Sequence, residues 1–139
     1  MFGLDIEKET CAVVDHAHGL SLIRAEARGF FKILGIREPV RTEIFTIINE
    51  LGQNILRHAG GGGEICLSVL KTGKRTGIRI VARDSGPGII DLEKALEPGF
   101  SEDKGLGLGM SAIGNLSDDV RISTLLPHGT QVEVIKWII

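Results

Sequence analysis

The chain has no tyrosine and a single tryptophan among its 139 residues, and aromatics make up only 4% of it. A surface that stacks successive bases, as RNA-binding and single-strand modules build it, needs more rings than this. An excess of one charge is missing as well. Sixteen basic and 18 acidic side chains leave a net charge of −2, so no general field draws in nucleic acid or anionic lipid, and neither is expected as a partner. Any anion must be held locally. No run of eighteen apolar residues occurs, and Met1-Phe2-Gly3-Leu4-Asp5 lacks the basic and continuously apolar stretches of a secretory leader, so neither membrane spanning nor export is expected. Cysteine is limited to Cys11 and Cys66, without CxxC spacing. That scarcity predicts free, buried thiols in a reducing compartment, the cytoplasm by default.

What is present is an ordinary soluble balance, 42% hydrophobic and 24% charged, in a length that suits one domain over residues 1–139. Such a chain buries roughly two-thirds of the surface its unfolded form exposes, enough to fold without staples. Its nineteen glycines cluster in three places and mark loops. Residues 10–15 read as a first strand. Leu20, Ile23, Ala27, Phe30, Phe31 and Leu34 then fall at the three- and four-residue intervals of one helical face, with Gly35 as the stop. A second helix is predicted to begin near Pro39 and to bury Ile44, Ile47, Ile48, Leu51 and Ile55. Past a flexible tetraglycine, residues 60–63, the alternation of Ile65, Leu67 and Val69 and of Ile78, Ile80 and Ala82 predicts a hairpin turning over residues 71–77. Periodicity is lost over residues 86–104, apart from a short helix near 91–96, which marks a candidate lid. A helix over 107–116 and two strands, 120–125 and 131–138, turning at Pro127-His128-Gly129, complete the chain. This order predicts an α/β (α+β) two-layer sandwich rather than a regular βαβ winding.

Three sequence-distant patches carry candidate chemistry. Glu50 and Asn54 stack one turn apart on the second helix, roughly 90° from the centre of its apolar stripe, on the border where a cleft wall would stand. An amide oxygen there suits the hard cation Mg²⁺, and a carboxylate can take the proton of an attacking hydroxyl. Asp84 ends a strand and is followed by Gly86 and Gly88, which let backbone come close to a planar ligand; Thr130, entering the last strand, adds a hydroxyl near the same aspartate. Gly105, Gly107 and Gly109 precede or open a helix, so their amides are available to phosphate, with Lys104 beside them for a charge-assisted contact. The spacing is not the GxGxxG of a dinucleotide fingerprint, no strand precedes it, and no Gly-Lys-Ser or Gly-Lys-Thr completes a Walker A loop. His16 and His18 lack the further ligands a metal site needs.

In order, Glu50-x-x-x-Asn54, Asp84-x-Gly86-x-Gly88 and Gly105-x-Gly107-x-Gly109 resemble the N, G1 and G2 boxes of the GHKL superfamily. Asp84-Ser-Gly-Pro-Gly-Ile, Gly99-Phe100-Ser101 and the closing Gly129-Thr130-Gln131-Val-Glu-Val-Ile-Lys136-Trp137 are similar to its small anti-sigma-type serine/threonine kinases, in particular the switch kinases of bacterial stressosome modules. The resemblance implies a Bergerat ATP-binding fold, a mixed sheet covered by about three helices on one face. It implies ATP and Mg²⁺ as cofactors, Glu50 as base, Asn54 as Mg²⁺ ligand, Asp84 as adenine reader, and Gly105, Gly107 and Gly109 as the phosphate-facing edge. The partners it implies are STAS-domain proteins of the stressosome, phosphorylated on Ser or Thr, and a PP2C-type phosphatase activated by binding. An anti-sigma kinase that sequesters a sigma factor is the alternative. The sequence departs from the histidine kinases of the superfamily, whose phosphoacceptor lies on a separate dimerisation helix, and its short lid implies modest affinity for ATP.

Overall fold

Strands with one apolar edge of alternation need a cover on that side only, and the computed structural model supplies it with helices. It describes residues 5–58, 62–84, 110–124 and 129–138. In chain order these form β1 (Asp5–Val14), α1 (Ala17–Leu34), α2 (Val40–His58), β2 (Gly63–Thr72), β3 (Arg75–Asp84), α3 (Met110–Leu116), β4 (Asp119–Thr124) and β5 (Thr130–Trp137). The sheet order is β1-β2-β3-β5-β4. All four pairings are antiparallel, which corrects the expected mixed sheet. Two helices between β1 and β2 add an even number of reversals, β2–β3 is a hairpin, and β5 returns against β3 with β4 on its outer side, so no neighbours run the same way.

The helical face holds the core. Ile23, Ile44, Ile48, Leu51, Ile65, Ile80, Ile113 and Val134 are all buried in one cluster. Both predicted helical stripes face the sheet, Leu34 being only partly buried. Gly35 closes α1 in the left-handed conformation (φ 66°), its N–H donating to the Phe31 carbonyl. At the start of α2, Glu38 Oε1 accepts from the Thr42 N–H at 3.0 Å and from its hydroxyl at 2.7 Å. Those two bonds hold the Glu38 carboxyl below its ordinary pKa. Arg41 donates from Nε to the Ile36 carbonyl and lays its guanidinium over the Phe31 ring, joining the two helices at their turn.

Several boundaries differ from the sequence reading. β1 begins five residues earlier, at Asp5. β2 and β3 extend through most of the stretch expected to turn: Thr72 pairs with Arg75, leaving a two-residue hairpin at Gly73 and Lys74. Cross-strand pairing carries residues on both sides of the expected turn into the ladder. The tetraglycine is not all connection either, because Gly63 opens β2. His16 and His18 belong to the start of α1, where His16 Nδ1 accepts the His18 N–H at 3.3 Å. The expected lid, the short helix at 91–96 and the turn at 127–128 lie outside the described residues.

The cysteines are not free, which is a second correction. Cys11 and Cys66 stand directly opposite in the β1–β2 register, with Cα atoms 4.0 Å apart, and form a disulfide. Fifty-five residues separate them in sequence, so only the strand register brings them together. By strand parity they lie on the sheet face away from the helices. That face also carries the ion pairs Arg79–Glu133 at 2.6 Å and Arg83–Glu64 at 3.2 Å. Closing so long a loop stabilises the fold by about 2–4 kcal/mol. Reduction, or Cys11→Ser, should therefore lower the urea midpoint. Identical curves with and without reductant, or two titratable thiols in the unreduced protein, would contradict the pairing.

Candidate active site

The geometry of the site follows from strand register and chain length. Asp84 is the last residue of β3, and the pairing sets Gly63 of β2 on one side of it and Thr130 of β5 on the other. Asp84 shares its parity with Ile78, Ile80 and Ala82, and Thr130 shares its own with Val132 and Val134, so both belong to the face covered by the helices. Thr130 is one of two buried polar residues among those described, 5% exposed, and Asp84 is half-buried.

The second helix reaches the same end. Gly63, the cross-strand partner of Asp84, follows the last residue of α2 by five positions, a span of at most about 18 Å. At its other end α2 is tied to β5, where Glu43 Oε1 meets Lys136 Nζ at 3.0 Å, and Lys136 is paired with Ile78. From Glu43 to Asn54 the helix advances about 16 Å. From Ile78 to Asp84 the strand advances about 20 Å. Running in the same direction from a common anchor, α2 carries Asn54 toward the end of the sheet where Asp84 stands. Glu50 and Asn54 are both half-buried, as border positions should be, and the Asn54 amide oxygen is shielded from solvent.

Of the residues singled out from the sequence, Glu50, Asn54, Asp84 and Thr130 are described: the register pairs Asp84 with Thr130, and Glu50 and Asn54 lie on the half of α2 that runs toward that end of the sheet. Gly86, Gly88, Lys104, Gly105, Gly107 and Gly109 lie outside the described residues. α3 is described from Met110, directly after the last of these glycines, the expected residues 107–109 lying outside the described ones, and it packs on α2 through its buried Ile113.

Two residues that shape this end were not singled out. Gly52, on α2 between Glu50 and Asn54, is buried where a Cβ would come within 2.5 Å of a Leu20 methyl, so its bareness lets α1 and α2 approach. Glycine inside a helix costs roughly 1 kcal/mol against alanine, and that anomaly was the available signal. At Gly63 a Cβ would lie 2.2 Å from the Arg83 carbonyl oxygen. A side chain there would push β2 off β3 beside Asp84. Nothing in the glycine run distinguishes that position before the register is known.

A family model described as a histidine kinase-like ATPase domain matches residues 13–136. The chain belongs to the histidine kinase-like ATPase family. The GHKL resemblance read from its motifs is thereby borne out. Within the family it is 34% identical over 130 residues to the serine/threonine-protein kinase RsbT of Bacillus subtilis, covering 94% of this chain and 97% of that one. It is 33% identical over 122 residues to an anti-sigma F factor of Bacillus licheniformis, covering 84% and 82%. Among solved structures, the SiaB–SiaC complex from Pseudomonas aeruginosa superposes with a TM-score of 0.58 at 12% identity, covering 96% of this chain and 91% of that one. The catalytic domain of the histidine kinase ThkA does so with a TM-score of 0.55 at 23% identity, covering 94% and 98%. The two structures carry the fold of this ATPase family and no more. Among the described residues, no helix is long and apolar enough to cross a membrane.

Proposed function

We propose that this member of the family is an ATP-dependent protein serine/threonine kinase that phosphorylates STAS-domain proteins and, when released from them, binds and activates a PP2C-type phosphatase. The observation that carries the reading is the register pairing of Asp84 with Thr130 on the face covered by the helices, at the end of the sheet toward which α2 runs from its Glu43–Lys136 anchor. Similarity to RsbT across nearly the whole chain supports the choice of a hydroxyl acceptor.

Phosphoryl transfer asks a protein mainly for alignment and charge compensation. In this reading the Asp84 carboxylate accepts a hydrogen from the adenine amino group, with the Thr130 hydroxyl beside it. Backbone amides at Gly105, Gly107 and Gly109, with Lys104, face the phosphates, while Gly86 and Gly88 give the base room. Glu50 accepts the proton of the attacking Ser or Thr hydroxyl as its oxygen bonds to the γ-phosphorus; the bond to the β–γ bridging oxygen breaks and ADP leaves. The donor set fits Mg²⁺: a shielded amide oxygen at Asn54 with a carboxylate one helical turn away is hard-oxygen chemistry. Bound there, the ion neutralises phosphate charge. Asn54→Ala should weaken nucleotide binding on the order of tenfold with Mg²⁺ present, and little without it. Titrations that match wild type under both conditions would remove Asn54 from that role.

The direct test is incubation with labelled ATP, Mg²⁺ and candidate STAS domains, followed by mapping of the labelled residue. Label on a serine or threonine supports the reading. Label on a histidine, or none beside intact ATP binding, refutes it. A second reading, sequestration of a sigma factor, is favoured by the likeness to anti-sigma F factors. It predicts a stoichiometric complex with a sigma factor, where the first reading predicts stimulation of a PP2C phosphatase and none with sigma.

A further inference from the structure

Val132, Val134 and Lys136 share one face of β5, the face turned to the helices, and the first two are in the core. A lysine third in that series is unexpected. Its side chain is only 13% exposed, so the charge is largely out of water, and it needs partners to offset its desolvation. It has two. Nζ donates to Glu43 Oε1 at 3.0 Å and to the backbone carbonyl of Leu116 at 2.6 Å. Glu43 is in the first turn of α2, and Leu116 is the last residue of α3. One ammonium therefore joins three elements.

The carbonyl it meets is one of those a helix leaves without an internal partner at its C-terminus, where positive charge is favoured. Neighbouring bonds fasten the same corner to β5 alone: the Asp118 N–H donates to the Ile135 carbonyl at 2.9 Å, and Asp118 Oδ2 accepts the Trp137 N–H at 2.6 Å. They fix where α3 ends over the sheet. Lys136 extends the tie to α2.

We infer that Lys136 is a positioning residue, a clamp that sets α3 against α2, the helix that carries Glu50 and Asn54. The inference rests on the proposed kinase reading for its consequence, though not for the clamp itself. α3 has seven residues and spans about 10 Å, so a rotation at its anchored end is carried to its other end. An apolar residue at 136 would keep the burial and lose the tie.

The test uses the full chain in three single variants, Lys136→Met, Lys136→Arg and Glu43→Gln, with the double variant Lys136→Met/Glu43→Gln. Lys136→Met and Glu43→Gln should each raise KM for ATP and lower kcat about tenfold with KM for the protein acceptor unchanged. The double variant should be no worse than Lys136→Met, because loss of the lysine already removes the contact that Glu43→Gln alters. Lys136→Arg, which keeps the charge and the donors, should recover most of the rate. Amide exchange over Met110–Leu116 should quicken in the two damaging variants and not in Lys136→Arg. If exchange quickens while kcat and both KM values stay at wild-type levels, Lys136 stabilises α3 without positioning anything, and the inference is overturned. Unchanged exchange overturns it as well, as does full additivity in the double variant. If the wild-type protein transfers no phosphate, the kinase reading has failed separately, and the clamp stands or falls on the exchange pattern alone. Glu43→Gln nearly preserves volume and supplies the decisive arm should Lys136→Met not fold.

Discussion

Glu50→Ala is expected to keep ATP binding and to lower phosphotransfer by about 10²- to 10⁴-fold, the usual contribution of a positioned general base. The split between binding and chemistry is the informative part. Glu50 lies on the border of the buried stripe of α2 and is half-buried, so its carboxylate contributes little to the packing that holds the helix. Truncation should leave thermal stability nearly unaltered, the nucleotide affinity within a few-fold of wild type, and the rate of transfer to a Ser or Thr hydroxyl collapsed. Equilibrium titration with ATP and single-turnover transfer, run on the same preparation, separate the two. An active Glu50→Ala protein would take the base role from this residue; a variant that had lost binding as well would place Glu50 among the nucleotide contacts instead.

Leu51→Ala, one residue away, should behave in the opposite manner. Leu51 is 1% exposed within the cluster that joins α2 to the sheet. Removing a leucine side chain from such a site costs about 2–5 kcal/mol, through lost transfer energy and the cavity left behind. For a domain of this length that is a fall in melting temperature on the order of 10 °C, readable by calorimetry. At a temperature where the variant remains folded, kcat should stay close to wild type, since Leu51 faces the core and not the cleft. Adjacent positions would then separate stability from chemistry along one helix. A Leu51→Ala protein with unchanged melting temperature would show that the core is not where the buried cluster places it.

The same helix shows how much was legible beforehand. Ile44, Ile48, Leu51 and Ile55 repeat at helical spacing, so which side of α2 is buried follows from sequence, and with it the border position of Glu50 and Asn54. Pairing of Asp84 with Thr130 was legible only as a suggestion, because it needs β5 rather than β4 beside β3. The cysteine pair was misread for a related reason: no local pattern states that Cys11 will stand opposite Cys66, and register across an intervening pair of helices is a tertiary outcome. Lys136 stands in the closing motif of the sequence with no role of its own. Its significance comes from two partners on other elements, Glu43 and Leu116, which are distant in sequence. Gly63 is indistinguishable in sequence from the rest of its glycine run, although its own backbone sits against Arg83. Periodicity, in short, reports what faces the core; it does not report what meets across it.

The central claim is that Glu50, Asn54, Asp84 and Thr130 surround a single Mg²⁺-bound triphosphate. A crystal of the protein grown with Mg²⁺ and a nonhydrolysable ATP analogue tests it most directly. The account predicts adenine on Asp84 and Thr130, the metal on Asn54 and the terminal phosphate facing Glu50, all in one bound molecule; a nucleotide seated away from the end of the sheet where α2 finishes would contradict it.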